Sequence, residues 1–523
     1  MLTPTVDAPC GPLRGVADPT QGVRAYRGVP YAAPPVGRLR WRPPEQLPRW
    51  TTVLEAASSA PIAVQTPAPR TSLFANPEER QSEDCLYLNV WAPLDARERL
   101  LPVLVWFHLG AFQYGSGSAP LYDGWRWAQG GAVLVTVNYR LSKLGFLAHP
   151  ELIDEGAGTA GNYGLRDQIA ALQWVQENIE AFGGNPDCVT ICGVSSGASS
   201  VALLMAAQAA RGLFHRAIAE SGGAFGPVAP TTGIGDAWQD LKSAAESGFA
   251  WSASAGAPDL RRLRQLSAGT LRTASMPTAR QHTGVFDASR PIVDGTLFPV
   301  PPHTAFITGA QAPVPLLVGS AADEDLAMFN YPRDLATFRQ QGRREHGSDS
   351  GTFFDLYPAK TDEQAVAAGL RSNGHRLFTW QNWHWANLHS LSGHPVYYYR
   401  FAQRPPVPPN TYSEQSLPRT LGAFHGASLF YTFGGAAFPP GWRWTPEHAN
   451  FAKALRAAWI HFAAHGRPVA ENLPDWPEFD AARPELVILR ADGSSLGTLP
   501  ERPHLAFWDN FYRNRLSKRE NGE

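Results

Sequence analysis

Six short stretches, residues 103–108, 132–138, 188–193, 215–220, 314–319 and 396–401, read as strands, and most of them are almost continuously apolar. A strand that is apolar on both faces has to be covered on both faces, which is the condition of a buried parallel sheet. The segments between them carry helical patterns. The clearest follows Asn162, where Leu165, Ile169, Leu172, Val175, Ile179 and Phe182 recur at spacings of three and four until Gly183-Gly184-Asn185-Pro186 stops the helix. Apolar strands alternating with amphipathic helices predict an α/β fold with a large, mostly parallel central sheet and helices on both faces. In such sheets functional groups collect beyond the carboxyl ends of the strands. No linker, repeat or low-complexity tract interrupts the pattern, so residues 1–523 are expected to form one domain.

Charge excludes several classes of function. The 45 Lys plus Arg and 46 Asp plus Glu leave a net charge of −1, which offers a phosphate backbone no basic field, so no nucleic-acid partner is expected. No run approaches the roughly 18 consecutive apolar residues of a membrane-spanning helix. Pro4, Asp7 and Pro9 stand where a signal peptide needs a basic end and an apolar core, so a cytoplasmic location is expected. Charged residues are few at 17% and aromatic residues many at 11%, a composition suited to a large enzyme with a deep pocket. Cys188 and Cys192 lie on one strand with α carbons about 13 Å apart, too far to bridge. With Cys10 and Cys85 distant in sequence, free thiols in a reducing compartment are expected.

The stretch at 188–193 runs into Gly193-Val194-Ser195-Ser196-Gly197, and residues 198–208 then read as a helix. Strand, tight turn and helix are the context of a nucleophile elbow, in which glycines at both ends let the turn pass its neighbours while the serine hydroxyl is held over the sheet edge. The Ser196 N–H, at the helix start, can serve an oxyanion. Gly493-Ser494-Ser495-Leu496-Gly497 has the same spacing, but Pro500 and Pro503 follow it in place of a helix, so it reads as a turn between strands. After residues 103–107, the small-residue turn His108-Leu109-Gly110-Ala111-Phe112 can aim the N–H groups of Gly110 and Ala111 at a carbonyl oxygen. Gly156-Ala157-Gly158-Thr159-Ala160-Gly161 matches a dinucleotide fingerprint, yet Asp154 and Glu155 precede it where a strand is required. No Ser-x-x-Lys occurs, which excludes a β-lactamase-type esterase.

These motifs resemble the type-B carboxylesterases of the α/β-hydrolase fold, which include cholinesterases and bacterial p-nitrobenzyl esterases. The resemblance spans almost the whole chain. It is carried by residues 27–32 (Arg-Gly-Val-Pro-Tyr-Ala), 34–37, 82–89, 137–141, 161–168, 181–186, 291–295 and 476–477. It implies a serine carboxylesterase with Glu324, in Ala322-Asp323-Glu324-Asp325, as the acid and His425, in Phe424-His425-Gly426-Ala427-Ser428, as the base. The order Ser195, Glu324, His425 is the order of this fold. The oxyanion donors would be Gly110, Ala111 and Ser196, and no metal or organic cofactor is implied. Ser221 matches a family serine near the triad or a packing residue. The resemblance also makes Arg140 with Asp167, and Arg40 with Glu83, structural ion pairs.

Departures from the family pattern surround the site. Most members carry Glu at the position of Val194, Gly at those of Leu109 and Asp325, and commonly Glu at that of Ser428. The pocket candidates are Leu109, Phe112 and Val194. Loss of the charge at Val194, together with Ala75 and Asn76 where cholinesterases place a choline-binding Trp, argues against choline esters. Ala63 stands where the usual disulfide partner of Cys85 would be. Phe378, Trp380, Trp383 and Trp385 can either line a gorge or pack as core. The expected substrate is therefore a neutral, moderately hydrophobic ester, handled by a monomer or weak homo-oligomer of bacterial source. The competing class is a catalytically weak or inactive binding protein on the esterase fold, which usually lacks a triad member.

Overall fold

The computed structural model describes the 523-residue chain apart from residues 67–72, 75–79, 97–98, 226–238, 274–288, 326–330, 409–421, 435–440 and 521–523. Its centre is an eleven-stranded sheet. In chain order the strands are β1 (Val16–Asp18), β2 (Val23–Pro30), β3 (Tyr87–Pro93), β4 (Leu101–Phe107), β5 (Val133–Val137), β6 (Gly184–Val194), β7 (Arg216–Glu220), β8 (Leu316–Ala321), β9 (Val396–Phe401), β10 (Leu486–Leu489) and β11 (Ser495–Gly497). Their spatial order is β11-β10-β9-β8-β7-β6-β4-β5-β3-β2-β1. The seven strands β10-β9-β8-β7-β6-β4-β5 are parallel to one another, and β1 to β3 and β11 close the edges antiparallel.

Side-chain alternation divides each central strand between two cores. Val103, Val105 and Phe107 of β4 enter one apolar cluster, while Leu104 and Trp106 enter the other. Helix α1 (Tyr163–Asn178) covers the first face with Leu165, Ile169, Leu172 and Val175, as its spacing predicts, and α2 (Ser196–Ala206) lies beside it. Each such fully buried aliphatic side chain stabilises the fold by about 1.5–3 kcal/mol. Helices α3 (Asp362–Gly374) and α4 (Trp380–Leu391) are joined by a π-helical turn over His375–Thr379. The short α5 (Leu429–Thr432) follows, and α6 (Pro446–His465) covers the second face with Phe451, Leu455, Trp459 and Phe462.

Local outcomes match their sequence signals with few shifts. A 3₁₀ turn, Ile179–Phe182, prolongs α1 until Gly183 adopts φ 86°, and Gly184 already belongs to β6. Ser495–Gly497 is the edge strand β11, paired antiparallel with β10, so the second Gly-x-Ser-x-Gly sequence makes a hairpin. The glycine-rich segment at 156–161 follows a helix, Pro150–Glu155, and has no strand before it. All four cysteines are free. Ala63 and Cys85 border the same small cavity.

The expected ion pairs form. Arg140 Nε and Nη2 donate to the two oxygens of Asp167 at 2.8 and 2.6 Å in full burial, and Arg40 grips Glu83 at 2.6 and 2.5 Å. Among the described residues no helix is long and apolar enough to cross a membrane.

Candidate active site

The register of the sheet brings the carboxyl ends of five strands into one row. Phe107 pairs with Gly193, Val194 with Glu220, Glu220 with Gly319, and Ala321 with Phe401. The residues just beyond these pairs are the turn 108–112, Ser195, Ser221 and the loop bearing Glu324.

Ser195 sits between β6 and α2 with φ 59° and ψ −121°, a conformation that non-glycine residues avoid. Its N–H donates to the Glu220 carbonyl at 3.0 Å, and its carbonyl accepts from the Ser199 N–H at 2.9 Å. The glycine requirement is visible in space. A Cβ on Gly193 would come within 2.5 Å of the Gly197 backbone, and one on Gly197 within 2.0 Å of the Phe107 oxygen. Ser195 remains half-buried while Ser196 has no exposed surface. As the first residue of α2, Ser196 has an N–H with no acceptor inside the helix.

His425 and Glu324 meet although 101 residues separate them. His425 Nδ1 lies 2.6 Å from Glu324 Oε2, and both side chains are buried. A carboxylate can only accept, so the proton sits on Nδ1 and Nε2 carries the lone pair. Nε2 is buried and has no hydrogen-bond partner among the described residues. The other carboxylate oxygen, Oε1, accepts from the Ala321 N–H at 2.7 Å. Asp323, which in the sequence is only part of an acidic run, clamps the two loops together. Its N–H donates to the Ala423 carbonyl at 3.0 Å, and its carboxylate accepts the Ala423 N–H at 2.7 Å.

Phe378, on the π-helical turn, packs its ring 4.2 Å from that of His425, and Gly374 lies so close that a Cβ would come within 2.8 Å of the Glu324 carbonyl oxygen. Irregular helical turns of this kind recur at functional sites. Trp380 and Trp385 are core, whereas Trp383 is partly buried against the first cluster. Within the aromatic segment it is Phe378 whose ring packs on the histidine.

The turn after β4 is held by its own backbone. Gly110, at φ 127°, accepts from the N–H groups of Gln113 and Tyr114, and a Cβ there would strike the Tyr114 oxygen at 1.8 Å. Ala111 and Phe112 also take positive φ, 56° and 61°. His108 stacks on Tyr139 and receives the turn through its Nδ1 contact with the Leu109 carbonyl at 2.8 Å; burial lowers it to about 4, so the ring is neutral. Of the three pocket candidates, Leu109 is 5% exposed, whereas Phe112 and Val194 are wholly buried in opposite cores. The last two brace the site from within and present no surface to it. Ala75 and Asn76 lie outside the described residues.

Ser221, at φ 53°, stands between the arms. Its N–H donates to the Gly319 carbonyl at 2.8 Å and its hydroxyl accepts from the Ala321 N–H at 3.3 Å, the same donor that serves Glu324. Asn382 of α4 fixes the next residue, with hydrogen bonds to both the N–H and the carbonyl of Gly222. Asn382 and Asp323 carried no signal in the sequence, because their partners are backbone groups far along the chain.

Residues 2–508 match the model of the carboxylesterase family, and the chain belongs to that family of carboxylic ester hydrolases. It is 34% identical to the para-nitrobenzyl esterase of Bacillus subtilis (strain 168) over 493 residues, covering 92% of this chain and 94% of that one. A fumonisin B1 esterase of Sphingopyxis macrogoltabida is also 34% identical, over 93% of this chain and 88% of its own. The liver carboxylesterase of Sus scrofa is 32% identical over 97% and 91%. A solved structure of PNB esterase superposes with a TM-score of 0.80 at 33% identity, covering 96% of this chain and 98% of the other.

Proposed function

We propose that Ser195, His425 and Glu324 are the catalytic triad through which this carboxylesterase hydrolyses neutral, moderately hydrophobic esters. The observation that carries the reading is the buried 2.6 Å contact of His425 with Glu324, which leaves Nε2 as the basic, unpartnered nitrogen. Nε2 takes the Ser195 proton as Oγ bonds to the ester carbonyl carbon, and the carbonyl electron pair moves onto oxygen. The N–H groups of Gly110, Ala111 and Ser196 hold that oxyanion, and each such donor is worth about 10²- to 10³-fold in rate. Collapse breaks the bond to the alkoxy oxygen, which leaves as the alcohol with the proton from Nε2. Water attacks the acyl-enzyme by the same route, giving the acid and restoring Ser195. Glu324 orients the imidazole and stabilises its charged form throughout.

Leu109 narrows the oxyanion turn, while Phe112 and Val194 set its shape from behind. Residues 1–523 act as one domain, a reading supported by a single sheet drawn from residues 16–497. The enzyme is proposed to be a cytoplasmic, bacterial protein, a monomer or weak homo-oligomer, with no nucleic-acid partner. Turnover of p-nitrophenyl butyrate by the wild type and by Ser195→Ala tests the mechanism, together with mass-spectrometric mapping of the residue labelled by an organophosphate. Loss of at least about 10³-fold in the variant and labelling of Ser195 are expected. Equal rates, or labelling elsewhere, would remove Ser195 from the mechanism.

A further inference from the structure

Behind the elbow lies a carboxyl for which the hydrolytic steps have no use. Glu220 ends β7 and is 1% exposed. Its backbone carbonyl is the acceptor of the Ser195 N–H, so the residue is fastened to the nucleophile itself. Its side chain lies in the second core, where Oε1 accepts from the indole N–H of Trp459 on α6 at 3.4 Å. The Ser428 hydroxyl and the Tyr399 phenol are close enough to act on the same carboxyl. Ser428 is three residues beyond His425, in the turn that leads into α5, and its carbonyl accepts from the N–H groups of Tyr431 and Thr432. Glu220 thus touches the backbone of the nucleophile on one side and the turn that bears the base on the other.

A buried carboxyl of this kind is costly unless something holds it. Among the described residues no arginine, lysine or histidine contributes to the field at Glu220; the titratable groups that face it are Tyr399 of β9 and Cys192 of β6, both pushed up by burial and therefore uncharged. Burial raises the Glu220 carboxyl as well, the nearby Ser428, Trp459 and Tyr399 offsetting only part of it, and its Oε2 has no hydrogen-bond partner among the described residues. Stability alone would favour an apolar side chain in such a place.

We propose that Glu220 is a positioning residue of this esterase, tying the backbone that carries Ser195 to the turn that carries His425 and so fixing the distance between nucleophile and base. Its work is geometric. An uncharged hydrogen-bonding side chain of the same length can do it, and a shorter apolar one cannot. The inference rests on the Ser195 reading, and the Ser195→Ala control fails or succeeds independently of it.

The test compares wild type, Glu220→Ala and Glu220→Gln in p-nitrophenyl butyrate turnover and in the rate of organophosphate labelling, with thermal melts to score folding. Displacement of reacting groups by about 1 Å costs up to about 10²-fold. Glu220→Ala should therefore lose about 10- to 100-fold in kcat and in labelling rate with KM within about threefold. Glu220→Gln should recover kcat to within about threefold of the wild type. Wild-type kcat in Glu220→Ala overturns the proposal, as does a Glu220→Gln enzyme no better than the alanine variant. Should Glu220→Ala not fold, Ser428→Ala and Trp459→Phe each remove one partner of the carboxyl. A fall of about three- to tenfold in kcat at constant KM is then expected, and wild-type kcat in both overturns it.

Discussion

Replacing Glu324 by Gln probes the site through a change of one atom. In the wild type Oε1 accepts the Ala321 N–H at 2.7 Å, and Oε2 faces His425 Nδ1 at 2.6 Å. In the variant the amide oxygen keeps the backbone donor, so the amide NH₂ turns toward Nδ1. The imidazole must then carry its proton on Nε2, the nitrogen that in the proposed mechanism takes one from Ser195. The lost attraction between carboxylate and imidazolium adds to this: two charges about 4 Å apart at an effective dielectric of about 20 interact by about 4 kcal/mol. At 1.36 kcal/mol per decade that alone is a factor of about 10³, and the wrong tautomer has cost about 10⁴ in a serine protease triad. Glu324→Gln should thus lose about 10³- to 10⁴-fold in kcat/KM for p-nitrophenyl butyrate, with a melting temperature near that of the wild type. A folded variant that loses less than about tenfold would refute the placement of Glu324 behind the base.

Arg140→Ala leaves the Asp167 carboxylate buried and unpaired, which should cost about 3–5 kcal/mol in urea unfolding while KM per folded molecule stays constant. A changed KM at undiminished stability would make the pair a substrate contact. Burial pushes the Asp325 carboxyl up from 3.8 to about 6, with Arg371 offsetting part of it. The folded state holds this proton more tightly than the unfolded state, so the group's contribution is present below about pH 4 and is lost as pH rises through about 6. Asp325→Asn should therefore raise the melting temperature more at pH 7.5 than at pH 4.5. An equal difference at both would show that Asp325 does not titrate in this way.

Much of the fold was legible because it is local. The six strand-like stretches became β4 to β9, and the three- and four-residue spacing after Asn162 became α1, since burial on both sheet faces and on one helix face writes itself as periodicity. The elbow was legible for the same reason: a Cβ on Gly193 or Gly197 would come within 2.5 or 2.0 Å of a neighbouring backbone. His425 and Glu324 could not be found by pattern, because nothing local distinguishes one buried histidine from the others; resemblance alone singled them out.

What the chain determines by itself is which segments are strands, where the tight turns fall and which serine stands at the sheet edge, for these follow from steric and hydrophobic rules acting over a few residues. Tertiary structure decided the rest. The parallel register aligned the strand ends, Asp323 drew the loop of Ala423 against that of Glu324, and Phe378 came to rest on His425 while Phe112 and Val194 sank into the core. Such contacts join residues up to a hundred positions apart, and they exist only once packing has excluded water and left buried polar groups to find one another.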